Sequence, residues 1–198
     1  IDYPGFTLRL AKALRKKGYK GQLIHYVCPS VWAHGKNRVN TLAENYNLLL
    51  TLFPFEEKAF ESTSLPVVCV GHPLPEMIRN HSLTPNSWPN PLVALFPGSR
   101  PSEVKNNLPL LLSAAEILYK KYPQLNFGVS LQDEKLLENK SALPLRIVPH
   151  AQNYDLMRSA HSALAKSGTV NLELCLHHCP TTVVYRSEER RVGKECLR

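Results

Sequence analysis

Apolar residues along this chain fall in short unbroken blocks, and the stretches between them carry helical spacing. Gln22–Val27, Asn47–Phe53 and Val67–Val70 are the first three apolar blocks. Unbroken rather than alternating apolar strands are expected where helices cover both faces of a parallel sheet. Between the blocks, Phe6 to Lys17 predicts a helix stopped at Gly18, and Arg38–Glu44 predicts a second. Pro54–Glu61 predicts a third, opened by a proline in its first turn. From Pro73 to Pro91 the pattern breaks: Pro73, Pro75, Pro85, Pro89 and Pro91 stand among polar residues, which predicts a linker over residues 75–91.

A second series of the same kind follows. It predicts strands at Leu92–Phe96, Leu125–Ser130, Leu145–Val148, Ala163–Lys166 and Thr181–Tyr185. The helices between them are expected at Pro101–Lys121, Glu134–Asn139, about Tyr154–Ser159, and from Thr169 to about His177. The expected fold class is therefore α/β, with two Rossmann-like parallel-sheet domains over residues 1–74 and 92–185. Two such units commonly hold a ligand between them. No repeat and no low-complexity tract is present.

The ends alter this picture. Arg186 to Cys196 is similar to the translation of a common sequencing-adapter oligonucleotide, so residues 186–198 are read as an artefactual tail and set aside. The chain starts at Ile1 on what reads as a strand end, so both domains are expected to be truncated. The formal charge is +8; without the tail, 19 basic residues stand against 13 acidic ones, a net +6 that suits an anionic partner. Cys28, Cys69, Cys175 and Cys179 have no disulfide-like spacing, which favours a reducing cytosol. No apolar run approaches membrane-spanning length.

Two segments carry the candidate chemistry. Leu95 to Arg100 is an apolar strand breaking into a Gly98-Ser99-Arg100 turn ahead of a helix. Ala165 to Glu173 is a strand end, a Ser167-Gly168-Thr169 turn and a helix start with a carboxylate one turn in. Free N–H groups at such junctions attract phosphate oxygens, Arg100 adds a fork of donors, and Glu173 stands where it could accept from ribose hydroxyls. Together they point to a nucleotide diphosphate. The plainer alternatives are a surface salt bridge from Arg100 to Glu103 and a helix-dipole role for Glu173.

Other residues divide in the same way. Asp2 is either a helix N-cap or a general base. Trp32 is either a core aromatic or part of an acceptor groove, and His72 either faces a cleft or bonds locally. Cys175, His178 and Cys179 share a helix face but lack a second ligand segment, so no metal is expected. The first helix carries Arg9, Lys12, Arg15, Lys16, Lys17 and Lys20 with no acid between Asp2 and Glu44. That face is either simply solvated or docks on an anionic membrane surface. No aromatic stacking surface accompanies the charge, which argues against nucleic acid.

Five segments in order carry a resemblance: Tyr26–Ala33, Phe53–Glu56, Gly71–Leu74, Pro97–Arg100 with Glu103, and Ser167–Thr169 with Glu173. Over about residues 1–185 the chain resembles the lipid-A-disaccharide synthase family, inverting bacterial glycosyltransferases of two-domain GT-B fold. The resemblance implies transfer of a diacylglucosamine unit from its UDP derivative to diacylglucosamine 1-phosphate, releasing UDP. It implies no cofactor and no metal, a cytoplasmic enzyme peripherally associated with the inner membrane, and Asp2 as the base. It implies UDP binding by Gly98, Ser99, Arg100, Ser167, Gly168, Thr169 and Glu173, with Trp32 and His72 on the acceptor side or cleft. Cys28 in place of a usual Ser, His34-Gly35 in place of Trp-Arg, and Asn171 in place of a small residue depart from the family pattern. The rival expectations are another UDP-sugar enzyme of GT-B fold, a 2-epimerase or murein-type transferase, and a non-catalytic nucleotide-sugar or membrane-binding remnant.

Overall fold

In a computed structural model of the chain, residues 3–31, 37–82, 88–132 and 143–184 are described. They form two compact units that divide between Pro73 and Leu74. In the first, helix α1 (Pro4–Lys16) leads to strand β1 (Ile24–Tyr26), and helix α2 (Asn37–Asn45) to strand β2 (Leu48–Thr51). A 3₁₀ segment (Pro54–Phe60) then leads to strand β3 (Val67–Cys69). The strands pair in parallel in the order β1-β2-β3. Leu8, Leu42, Leu49, Phe60 and Leu65 form the core of this unit.

The second unit begins with helix α3 (Leu74–Arg79), inside the stretch expected to be a linker. It continues with β4 (Leu92–Phe96), α4 (Pro101–Lys121), β5 (Asn126–Ser130), β6 (Leu145–Val148) and α5 (Asn153–Ser159). β7 (Ser162–Lys166), α6 (Val170–Leu176) and β8 (Thr181–Val184) complete it. All five strands are parallel, in the order β6-β5-β4-β7-β8. The α/β class and parallel sheets expected from the pattern are thus present in both units.

The unbroken apolar block of β4 has a direct packing reason. Leu92, Ala94 and Phe96 point to one face and meet Leu156, Met157 and Leu174 of α5 and α6. Val93 and Leu95 point to the other and meet Val104, Leu108, Leu111 and Ala115 of α4. All five residues are buried, so a polar side chain at any of them would need a buried hydrogen-bond partner.

Two further elements differ from the pattern. Pro54–Phe60 is 3₁₀ rather than α-helical. There the buried Glu56 carboxylate accepts from the N–H groups of Leu52 and Phe53, both at 2.9 Å, and so closes the turn on itself. α1 begins at Pro4, two residues before the expected Phe6, because proline at the first helical position needs no hydrogen-bond partner.

Candidate functional site

β4 and β7 lie side by side, with Phe96 opposite Ala165. Sequence order reverses there: β5 and β6 extend the sheet on one side and β8 on the other. In open parallel sheets the crevice beyond the carboxyl ends of the strands at such a reversal is the usual ligand site. A cavity of about 340 Å³ opens at this place. Its wall includes Gly98, Ser99 and Arg100 from the turn after β4, Gly168 and Thr169 from the turn after β7, and Glu173 from the first turn of α6. Ser167 is the one residue of the two turns' expected set that does not line it. Its N–H instead donates to the Val184 carbonyl at 3.1 Å, extending the ladder to β8.

The first turn is shaped by Gly98. Its φ of +124° is a backbone conformation that only glycine adopts readily, and a Cβ there would lie 2.7 Å from Cβ and Oε2 of Glu103. Arg100 is the extended N-cap of α4, and Pro101 is the first helical residue. The Arg100 side chain is 80% exposed, and its Nη1 stands 3.8 Å from Glu103 Oε1. The Arg100–Glu103 salt bridge is therefore present, but it is long and solvated, a geometry of small energetic weight.

Glu103 has a closer partner. Lys166, the last residue of β7, donates from Nζ to Glu103 Oε1 at 2.9 Å. The Ser99 N–H approaches Glu103 Oε2 at 3.3 Å. The Lys166 hydrogen bond is the main cause holding the Glu103 carboxyl below the usual carboxylate range. Glu173 behaves oppositely: partial burial raises its carboxyl.

Lys166, Ser130, His150 and Asn153 also line the cavity and were not singled out by sequence reasoning. Lys166 stood in the second motif, but its value depends on β7 lying beside β4, which no local pattern displays. The Ser130 hydroxyl donates to Asn153 Oδ1 at 2.7 Å and ties the end of β5 to the start of α5. The available signal was the position of Ser130 and Pro149-His150 directly after apolar blocks.

The remaining expected residues belong to the first unit. Asp2 and Trp32 lie outside the described residues. The N-cap of α1 is Tyr3, whose carbonyl accepts from the N–H groups of Phe6 and Thr7. His72 is half-buried, with its ring 5.5 Å from that of Phe53. Arg15, expected on the basic face, is a structural clamp. It donates to the carbonyls of Asn45, Tyr19 and Gly21 and to Asn47 Oδ1. Burial, with Glu56 nearby, pushes the Cys28 thiol up to about 12, which leaves it inert as a nucleophile.

Residues 1–189 match the family described as lipid-A-disaccharide synthetase. The chain is 40% identical over 201 residues to a lipid-A-disaccharide synthase of Chlamydia pneumoniae, covering 94% of this chain and 33% of that protein. It is 34% identical to the lipid-A-disaccharide synthase of Coxiella burnetii, over 94% of this chain and 51% of that one. Among solved structures, a UDP-GlcNAc 2-epimerase from Neisseria meningitidis bound to UDP-GlcNAc is similar with a TM-score of 0.57 at 17% identity. That alignment covers 92% of this chain and 57% of the epimerase, and it speaks to the fold alone. The chain thus spans about a third of the length of its Chlamydia relative.

Proposed function

This chain belongs to the lipid-A-disaccharide synthetase family, and on that premise we propose that the full-length protein is an inverting glycosyltransferase. It transfers a diacylglucosamine unit from UDP to diacylglucosamine 1-phosphate and releases UDP. The observation that carries this reading is the convergence of the turns after β4 and β7 on one cavity, with Gly98, Ser99, Arg100, Gly168, Thr169 and Glu173 in its wall.

In this reading the diphosphate lies against the Gly98-Ser99 turn at the N-terminus of the 21-residue helix α4. Arg100 stands at the rim with its guanidinium in solvent, free to close on an arriving phosphate. These donors stabilise the charge that develops on departing UDP. Glu173, also in the cavity wall, accepts from the ribose hydroxyls. Asp2 takes the proton of the attacking acceptor hydroxyl, in keeping with the family pattern. The protein works on the cytoplasmic side of the inner membrane, held there by the basic face of α1, because both substrates carry acyl chains.

Transfer is tested with UDP-diacylglucosamine and diacylglucosamine 1-phosphate in detergent micelles, following disaccharide and UDP in equal amounts. Release of UDP without disaccharide, or a free 2-epimerised sugar, would overturn the transferase reading.

A further inference from the structure

We propose that Glu103 is a placeholder anion, holding Lys166 and the Ser99 N–H and yielding both to phosphate when a nucleoside diphosphate binds. Lys166 is then a second phosphate contact beside Arg100. The inference rests on the nucleotide reading of this cavity and deepens it.

The geometry around the carboxylate carries it. Lys166 Nζ reaches Glu103 Oε1 at 2.9 Å across 63 residues of sequence, joining the end of β7 to the first turn of α4. The other oxygen faces the Ser99 N–H, at a longer 3.3 Å, and packs in the space that the side-chain-free Gly98 leaves open. Arg100 Nη1 is 3.8 Å away. An ammonium, a guanidinium and a backbone N–H at a helix start thus surround one anionic group. These are donors that phosphate oxygens accept from, and a carboxylate satisfies them in the same way.

The arrangement has an electrostatic reason. Lys166 and Arg100 carry like charges close together, and Lys166 is largely covered, so its ammonium needs an anionic partner when no ligand is present. Glu103 supplies that partner and fixes the Lys166 side chain at the cavity wall. A diphosphate carries more charge and more acceptor oxygens than one carboxylate, so it displaces Glu103 from both donors. The displaced carboxylate stays beside the phosphate as a like charge and limits how tightly UDP is retained.

The experiment measures UDP affinity by calorimetry in the full-length protein and its Glu103→Gln, Lys166→Ala and double variants, with thermal melts to show that each is folded. Glutamine keeps the shape and removes the charge. The expected result is UDP binding about 3–10-fold tighter in Glu103→Gln and about 10-fold weaker in Lys166→Ala, the range of a partly exposed charged pair. In the Lys166→Ala background the Glu103→Gln gain should shrink, because the competition for Lys166 is gone and the like-charge repulsion remains. If Glu103→Gln fails to fold, Glu103→Ala, which removes the carboxylate altogether, carries the same expected tightening. Weaker or unchanged UDP binding by the folded Glu103 variant overturns the placeholder role, and unchanged binding by Lys166→Ala overturns the second contact. If the folded wild-type protein binds no UDP, the nucleotide reading fails and this inference falls with it.

Discussion

Phe96 and Ala165 are register partners on neighbouring parallel strands, so the two turns that follow them leave the sheet at the same level. From that one pairing, residues 98–100 and 168–169, some 70 positions apart, come to line the same cavity. A slip of one residue between β4 and β7 would turn each buried side chain to the wrong face and separate the turns.

Arg100→Ala should weaken UDP binding by about 1.5–3 kcal/mol, the scale of a charge-assisted hydrogen bond. Its thermal stability should hardly change, because the salt bridge to Glu103 is long and exposed. Calorimetry in excess EDTA measures the affinity and tests the metal-free mechanism together. Equal affinity in mutant and wild type would remove Arg100 from the site, and binding lost with the chelator would require a metal.

Gly98→Ala should do what Arg100→Ala does not, lowering stability and affinity together. The φ of +124° and the 2.7 Å approach to Glu103 leave no relaxed position for a methyl group. The cost expected is on the order of 1–3 kcal/mol, typical of a residue forced into a sparsely populated backbone region. Thermal denaturation of the variant checks this, and a wild-type melting temperature would contradict the strained turn.

Glu173 should trade stability for binding. Its carboxyl is raised by burial, so the folded state binds its proton more tightly than the unfolded chain does. The stability this contributes is full below the ordinary carboxylate value and is lost as pH rises through the raised value. Glu173→Gln should therefore raise the melting temperature at neutral pH, with the difference closing as pH falls into the ordinary carboxylate range. The same variant should bind UDP more weakly, since an amide accepts less well than a carboxylate from two ribose hydroxyls. A melting difference independent of pH would show that Glu173 is not titrating in the folded protein.

Local chemistry was legible in the sequence where it depended on neighbours along the chain. The apolar blocks marked the strands, Pro101 marked the start of α4, and the two small-residue turns marked the cavity walls. What escaped depended on distant partners. Lys166 gains its role from Glu103, Arg15 from Asn45 and Asn47, and Ser167 loses its N–H to Val184. The 3₁₀ turn at Pro54–Phe60 escaped for another reason: helical spacing does not reveal a carboxylate that folds back on its own turn.

The basic face of α1 can be divided by the role of Arg15. Arg15→Met should cost about 1–3 kcal/mol, because several backbone carbonyls lose their donor. Arg9, Lys12 and Lys16 form the part expected to meet lipid, at about 1 kcal/mol per basic residue near an anionic surface. Reversal of those three charges should abolish low-salt co-sedimentation of the full-length protein with anionic vesicles and leave its melting temperature near wild type. Undiminished binding by the triple variant would mean that this face is only solvated.

Asp2→Asn is the sharpest test of the proposed chemistry, and the position of Tyr3 simplifies it. Tyr3 occupies the N-cap of α1, without a side-chain hydrogen bond, and Pro4 follows at the first helical position. Asparagine caps about as well as aspartate in any case, so the substitution should leave stability near wild type. UDP affinity should also be unchanged, since Gly98, Arg100 and Glu173 all line a cavity built from the second unit alone. Turnover should fall by about 10²–10⁴, the usual worth of a general base. An amide cannot accept the acceptor hydroxyl's proton, so a folded, UDP-binding Asp2→Asn protein with near-normal turnover would place the base elsewhere. Loss of turnover with UDP affinity and melting temperature intact would leave proton removal as the step that Asp2 performs.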